Sequence, residues 1–329
     1  MKPVKWGVLS TARIGDEFVI PAMVAAHGAE PLAIASRDKA RGAALAAKFG
    51  IPRAYGSYEE LLADPDVEAV YNPLPNHLHV PMTLAATAAG KHVLCEKPVA
   101  MNSAEAARLR AAPKGVTIEE AFMVRHNPQW IAIRRLVDDG AIGAPRAFQM
   151  VFSYRLLDPD NVRNKADIGG GAMMDIGCYP IALSRFVFRA DPVQAIAAFD
   201  RDPTFGTDRF VDALARFPGG RTLSFVLATQ GARHQRVTIL GETGVIEVEI
   251  PVNAPADKPG RFTLYRAGEA PKVHEMPLVD QYRREIEDFS ASLRGGPPLE
   301  HGVEDAIANM KAIDAFFRSE KSGRWEDVG

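Results

Sequence analysis

At 329 residues the chain is long enough for two domains of ordinary size, and 47% hydrophobic with 24% charged residues is an ordinary globular composition. The 39 Lys and Arg against 41 Asp and Glu leave a net charge of −2, which offers no electrostatic footprint for nucleic acid or an anionic membrane. Two cysteines, Cys95 and Cys178, make neither a disulfide framework nor a metal knuckle, so buried thiols and no metal site are expected.

The first residues run straight into a strand, Val4 to Leu9, without the pattern of a secretory leader, and no apolar run reaches the length of a membrane span. A soluble, cytoplasmic protein is the expectation. Ser10-Thr11-Ala12-Arg13-Ile14-Gly15 follows as a small-residue turn into a helix from about Arg13 to His27. Strand, tight turn and helix open a mononucleotide-binding unit, whose helix-start amides hold a pyrophosphate. This assigns Ser10, Thr11, Ala12, Arg13 and Ile14 to the cofactor. The usual G-x-G-x-x-G is degraded, because Ser10 and Ala12 stand at the first two glycine positions and only Gly15 keeps the third. Ala12 permits close backbone approach but tolerates positive φ less readily than glycine. An ordinary strand-to-helix turn fits the same residues.

A second buried-type strand, Pro31 to Ser36, ends about twenty residues after Gly15, where the ribose-reading residue belongs. An acid directly at that strand end would favour the 2′-hydroxyl of NAD. Here Ser36 is followed by Arg37, a hydroxyl and a guanidinium suited to the 2′-phosphate of NADP, with Arg41 one helical turn on as a second cation. NADP is therefore expected, while Asp38 keeps NAD open.

The spacing predicts a helix over Lys39 to Phe49, a short strand at Arg53 to Tyr55, a helical turn around Tyr58 to Ala63 and a strand at Glu68 to Asn72. Pro73-Leu74-Pro75-Asn76-His77-Leu78-His79 then enters a helix over Val80 to Ala89, with Asn76 as its cap. Pro73, Leu74, Asn76 and His79 would line the crevice on the nicotinamide side. His92 to Cys95 reads as a strand stopped by Glu96-Lys97-Pro98, and a lysine at a strand's carboxyl end borders the ligand crevice of an open α/β sheet. A solvated loop lysine is the competing reading. A helix from about Ser103 to Ala112 and a strand over Val116 to Phe122 complete an α/β, doubly wound, mostly parallel domain at residues 1–122.

Residues 123–329 have a different pattern. After a helix over Asn127 to Asp139, alternating runs occur at Pro145 to Tyr154, Ala195 to Phe199, Phe210 to Phe217, Thr222 to Ala228, Gln235 to Leu240, Val245 to Ile250 and Phe262 to Tyr265. Short strands joined by glycine turns predict an α+β domain with a large, predominantly antiparallel sheet. Helices over Asp280 to Arg294 and Val303 to Ser319 close the chain.

Four stretches make the chain resemble the Gfo/Idh/MocA oxidoreductase family, named for glucose-fructose oxidoreductase and inositol dehydrogenase: Glu96-Lys97-Pro98, the loop ending Asn76-His77-Leu78-His79, the run from Glu120 to Pro128, and Gly169-Gly170-Gly171-Ala172-Met173-Met174-Asp175-Ile176-Gly177-Cys178-Tyr179-Pro180. The opening Trp6 to Gly15 is similar to the variant in the aldose (xylose) dehydrogenase and dihydrodiol dehydrogenase branch. The resemblance implies catalytic roles for Lys97, Tyr179 and Asp175, cofactor contacts from Glu96 and Lys97, and polyol contacts from Asn161, Arg163, Asp175 and Tyr179, with a solvated loop as the competing reading of Asn161 and Arg163. It implies that the open face of the C-terminal sheet makes an interface, in a homodimer or homotetramer, or covers the site. Arg125 and His126 would help join the domains, with a nicotinamide contact for Arg125 as the alternative.

At helical spacing Asp175 and Tyr179 share a face. Oxidising an alcohol on a nicotinamide requires a base for the hydroxyl proton while hydride leaves carbon. A phenol can serve if its pKa falls from about 10 towards working pH, a shift of roughly 3 units or about 4 kcal/mol. The Lys97 ammonium would supply that pull, and Asp175 would orient a sugar hydroxyl or the lysine. A core phenol and a helix-start carboxylate are the plain alternatives. The expectation is an NADP-dependent aldose 1-dehydrogenase acting on a pyranose. A carbonyl or sugar reductase or trans-dihydrodiol dehydrogenase is the alternative, and a transiently oxidising glycosidase or a non-catalytic NADP-binding protein are further ones.

Overall fold

Val4–Leu9 (β1) is buried almost throughout, as expected of a central parallel strand with helices over both faces. In the computed structural model, which describes residues 2–329, it lies in a six-stranded sheet with Ala29–Ala35 (β2), Arg53–Tyr55 (β3), Ala69–Asn72 (β4), His92–Glu96 (β5) and Ile118–Ala121 (β6). The order is β3-β2-β1-β4-β5-β6 and every pairing is parallel, the doubly wound arrangement expected from the strand-helix alternation. The carboxyl ends of β1, β2, β4 and β5 therefore share one edge. The helix Lys39–Phe49 has the bounds its sequence implies, because Asp38 accepts from the Arg41 amide at its start and Gly50 takes φ 68° at its end.

A second sheet has nine strands: Pro145–Arg155 (β7), Gln194–Arg201 (β8), Asp208–Arg216 (β9), Thr222–Ala228 (β10), Gln230–Gly241 (β11), Gly244–Val248 (β12), Arg261–Arg266 (β13), Lys272–Glu275 (β14) and Glu326–Asp327 (β15). Their order is β14-β13-β12-β11-β7-β10-β9-β8-β15, antiparallel except where β10 runs parallel to β7. The row Phe148, Met150 and Phe152 on β7 is buried, while Val151, Val226 and Leu240 stay 36–46% exposed. A shallow groove of about 840 Å³, bordered by Gln149, Val151, Asp212, Leu214, Val226 and Arg236, crosses this sheet and includes none of the candidate site residues.

Two differences from the sequence expectation stand out. Contacts group residues 280–307 with residues 1–126, and residues 127–279 with 308–329, so the second unit does not run unbroken from 123 to 329. The reason is long-range packing. The helix Gln281–Ser292 buries Ile286 and Phe289 in the first unit's core, where Phe289 lies 5.1 Å from the Trp6 ring and the Trp6 indole N–H donates to Ser290 Oγ at 3.1 Å. Also, Asn76 lies inside a short 3₁₀ turn, Asn76–Leu78, and the helix His79–Ala88 follows it with Leu78 at its cap position. Among the described residues, no helix is long and apolar enough to cross a membrane.

Candidate active site

The first unit brings most of the expected cofactor residues to one sheet edge. After β1, Ser10 adopts φ 80°, the left-handed conformation its missing glycine would have taken, and its amide donates to Ala35 O at 2.7 Å. Ser10 Oγ then accepts from the Ala12 amide at 3.2 Å. Ala12 needs no positive φ, so the strain falls on the serine, whose hydroxyl stabilises the turn locally. The first helical bond is Asp16 N–H to Ala12 O, and the first amides of a helix, which have no partner within it, are the groups an anion-binding start uses. Arg13 is exposed and paired with Glu17 at 2.7 Å. The helix opens with a π turn, Gly15–Val19, before Ile20–Ala25. A Cβ at Gly15 would meet only ordinary contacts, so this glycine is not demanded by packing.

At the end of β2, Ser36 is 5% exposed, and its Oγ accepts from the Asp38 amide at 3.2 Å. Asp38 is occupied as the helix cap, accepting from the Arg41 amide at 3.1 Å, while Arg37 and Arg41 are exposed. A turn whose acid is engaged and whose guanidinia face solvent fits a phosphate better than a bare 2′-hydroxyl.

The Lys97 turn is held from three directions inside this unit. Tyr71 donates to Glu96 Oε1 at 2.6 Å, and Glu120 Oε1 accepts from the Val99 amide at 2.8 Å. The His79 ring nitrogens lie 2.7 Å from Pro98 O and 2.6 Å from Leu74 O. Burial and the neighbouring Glu96 push the Tyr71 phenol well up, so it remains a donor. His79 is 1% exposed with both nitrogens against main-chain oxygens, so it ties the Pro73–Leu74 loop to the Lys97-Pro98 peptide, which is cis, rather than facing a ligand. Burial draws its pKa down to about 4, against the two carbonyls that favour the charged ring. Fully buried Asn72, which sequence alone did not mark, donates to His79 O at 3.1 Å and Thr83 Oγ1 at 3.2 Å and shapes the same loop. Arg125 is occupied within the unit: its guanidinium meets Asp305 at 2.6 Å and stacks over Phe122.

In the second unit, the loop before the three glycines and the helix after them converge. Asn161 Oδ1 accepts from the Arg163 amide at 3.1 Å, starting a short turn. The Arg163 guanidinium reaches back to Asp175, Nε to Oδ1, at 3.0 Å. Tyr154, at the end of β7, donates to the other carboxylate oxygen at 2.5 Å. Asp175 raises the Arg163 pKa, and burial, then Asp175, raises that of Tyr154. Asp175 is thus an oriented anion between a phenol and a guanidinium. Tyr179 is 5% exposed, 6.1 Å from the Phe152 ring, and within electrostatic reach of Arg163. Asp175 lies in a π turn, Met173–Gly177, that leads into the helix Cys178–Phe188 carrying Tyr179. Tyr154 was not among the sequence candidates, although the buried row at 148, 150 and 152 ends on it, a phenol where an apolar residue would continue the pattern. Among the described residues, no group of three His, Cys, Asp or Glu side chains could hold a metal.

Residues 4–118 match the model of an oxidoreductase family with an NAD-binding Rossmann fold, and residues 130–247 match the GFO/IDH/MocA C-terminal domain. The chain belongs to the Gfo/Idh/MocA oxidoreductase family. Within the family it is 46% identical, over the whole of both chains, to an uncharacterized oxidoreductase of Rhizobium meliloti. It is 36% identical to a D-xylose 1-dehydrogenase (NADP(+)) of Haloferax volcanii, over 97% of this chain and 98% of that one. Its fold superposes on KijD10, a 3-ketoreductase from Actinomadura kijaniata solved in complex with NADP and TDP-benzene, with a TM-score of 0.90 and 30% identity, over 97% of this chain and 98% of that one. Family membership makes this chain an oxidoreductase, as expected from the four stretches.

Proposed function

We propose that the protein is an NADP-dependent sugar oxidoreductase of the aldose 1-dehydrogenase type, converting a pyranose to its lactone. The observation that carries the substrate class is the end-to-end similarity to a D-xylose 1-dehydrogenase (NADP(+)). The turn at Ser36 to Arg41, with its acid engaged as a cap and its arginines exposed, supports NADP.

Bound NADP supplies the hydride acceptor. Ser10, Thr11, Ala12, Arg13 and Ile14 would hold its pyrophosphate, Ser36, Arg37 and Arg41 its 2′-phosphate, and Pro73, Leu74, Asn76, Glu96 and Lys97 its nicotinamide half. His79 acts through the loops it joins, and Arg125 supports the edge from its pair with Asp305. Tyr179 would take the proton of the anomeric hydroxyl as hydride leaves the anomeric carbon, with the Arg163 guanidinium and, as the family resemblance implies, the Lys97 ammonium favouring the phenolate. Asp175, fixed by Tyr154 and Arg163, accepts a hydrogen bond from a sugar hydroxyl, and Asn161 adds a planar amide. Run backwards, the same groups protonate a carbonyl, and the likeness to a 3-ketoreductase supports that second reading. The exposed valines and leucine on the second sheet support a homodimer or homotetramer through that face, and a cytoplasmic location is part of the same proposal.

The test is a panel of aldoses and ketones assayed with NADP(H) and NAD(H). Steady NADPH accumulation with a pentose or hexose, and lactone as product, is expected. Turnover only of ketones with NADPH favours the reductase reading, and sugar cleavage without net NADPH would overturn both.

A further inference from the structure

The helix that carries Asp175 and Tyr179 has no cap of its own. It begins at Met173 after Ala172, which has no polar side chain, and no side-chain cap precedes it. Its start is held instead from 35 residues downstream, by Asp208 at the first position of β9. Asp208 is 1% exposed, and its Oδ2 accepts from the Met173 amide at 2.6 Å. Its other oxygen lies against the Cα of Gly171, so close that any Cβ there would collide with it. Gly171, at φ 114°, donates its N–H to Arg163 O at 2.9 Å and accepts from the Asp175 amide at 3.0 Å. One carboxylate therefore closes a circuit that includes the Arg163 loop, the glycine turn and the first residues of the helix. Rotation of that helix start would move Asp175 and Tyr179 together.

We infer that Asp208 is a positioning residue for the reaction, its carboxylate form holding the Met173 end of the helix in register. This rests on the role proposed for Tyr179 and Asp175. The groups facing Asp208 are Arg201 on β8, Glu320 on the helix Val303–Ser322 and Tyr154 on β7, with Arg201 itself bonded to Glu320 at 3.1 Å. Burial raises the Asp208 carboxyl to about 6, against the pull of the Met173 amide, its own backbone amide and Arg201. The charge on the cap is accordingly lost near pH 6, and a charge-assisted bond becomes a weaker neutral one. Nothing in the local sequence marks this residue except an acid where an apolar strand begins.

The test uses the full-length protein. In ¹⁵N-labelled wild type, the Met173 amide resonance should titrate between pH 8 and pH 5 with a midpoint near 6, and Asp208→Asn should abolish that titration. A Met173 signal that ignores pH, or titrates equally in Asp208→Asn, would overturn the inference. In kinetics, Asp208→Ala should lower kcat about tenfold with little change in KM, the size of a lost helix cap. Asp208→Asn keeps an acceptor for Met173 and should recover most of that loss while flattening the acid limb of the kcat profile. An asparagine variant no better than alanine would also overturn it. The amide titration is read without substrate, so failure to oxidise any sugar would count against the proposed activity and leave the positioning role to be judged on Met173.

Discussion

Raising the pH should destabilise the first unit through His126. The imidazole Nδ1 lies 2.9 Å from Asp288 Oδ2 and Nε2 lies 3.5 Å from Glu119 Oε1. Burial alone would lower its pKa, but Asp288 and then Glu119 outweigh it and lift it from 6.5 to about 10. A histidine with a raised folded pKa contributes stability in full below its unfolded value. That contribution declines as pH rises from 6.5 and is gone above about 10. At about 1.4 kcal/mol per pH unit, the whole interval corresponds to roughly 3–5 kcal/mol, of which about 2–3 kcal/mol falls between pH 7 and 9. Buried Glu285, whose pKa burial raises, adds a change of the same sign. Urea melts followed by tryptophan fluorescence should show the midpoint falling by about 1 M from pH 7 to 9, given an m-value of about 3 kcal/mol per M. His126→Gln should flatten most of that slope and cost stability at pH 7. A wild-type midpoint that does not change with pH, or a variant as steep as the parent, would refute the reasoning.

Tyr154→Phe removes the donor to Asp175 at 2.5 Å and leaves Arg163 in place; loss of a hydrogen bond to a charged group, about 1.5–3 kcal/mol, should cost roughly 10- to 150-fold in kcat/KM, measured with the sugar the panel selects. Arg37→Ala should raise the Kd for NADP by about tenfold or more while leaving NAD nearly unaffected, read by fluorescence titration with each nucleotide. Phe289→Ala should destabilise the first unit by about 3–5 kcal/mol in denaturant melts, because the ring is fully buried against Trp6.

Much of this architecture is legible because it is local. Buried runs such as Val4 to Leu9 and the alternation along Pro145 to Tyr154 announce parallel and antiparallel strands, and Asp38 and Gly50 bound their helix by short-range chemistry. The strand-end positions of Ser10, Ser36 and Lys97 follow from the same periodicity. What escapes is non-local. The helix Gln281–Ser292 joins the first unit through Trp6, far away in sequence, and Asp208 reaches Met173 across the second unit. Strands β14 and β15, four and two residues long, are too short for alternation to register. The 3₁₀ turn at Asn76 and the bond from Asn72 to His79 O that shapes its loop have no periodic signature either. Ser10 takes a backbone conformation that intrinsic preference argues against, as strained positions near a ligand edge often do.

The most direct measurement is NADPH formation by Tyr179→Phe beside the parent, with the preferred aldose and NADP⁺ across pH 6–9, and NADP binding checked in both. Tyr179→Phe should show at least a hundredfold lower kcat with unchanged NADP affinity, in line with removal of a general acid–base group. A phenylalanine variant that turns over at the parent rate would contradict that role.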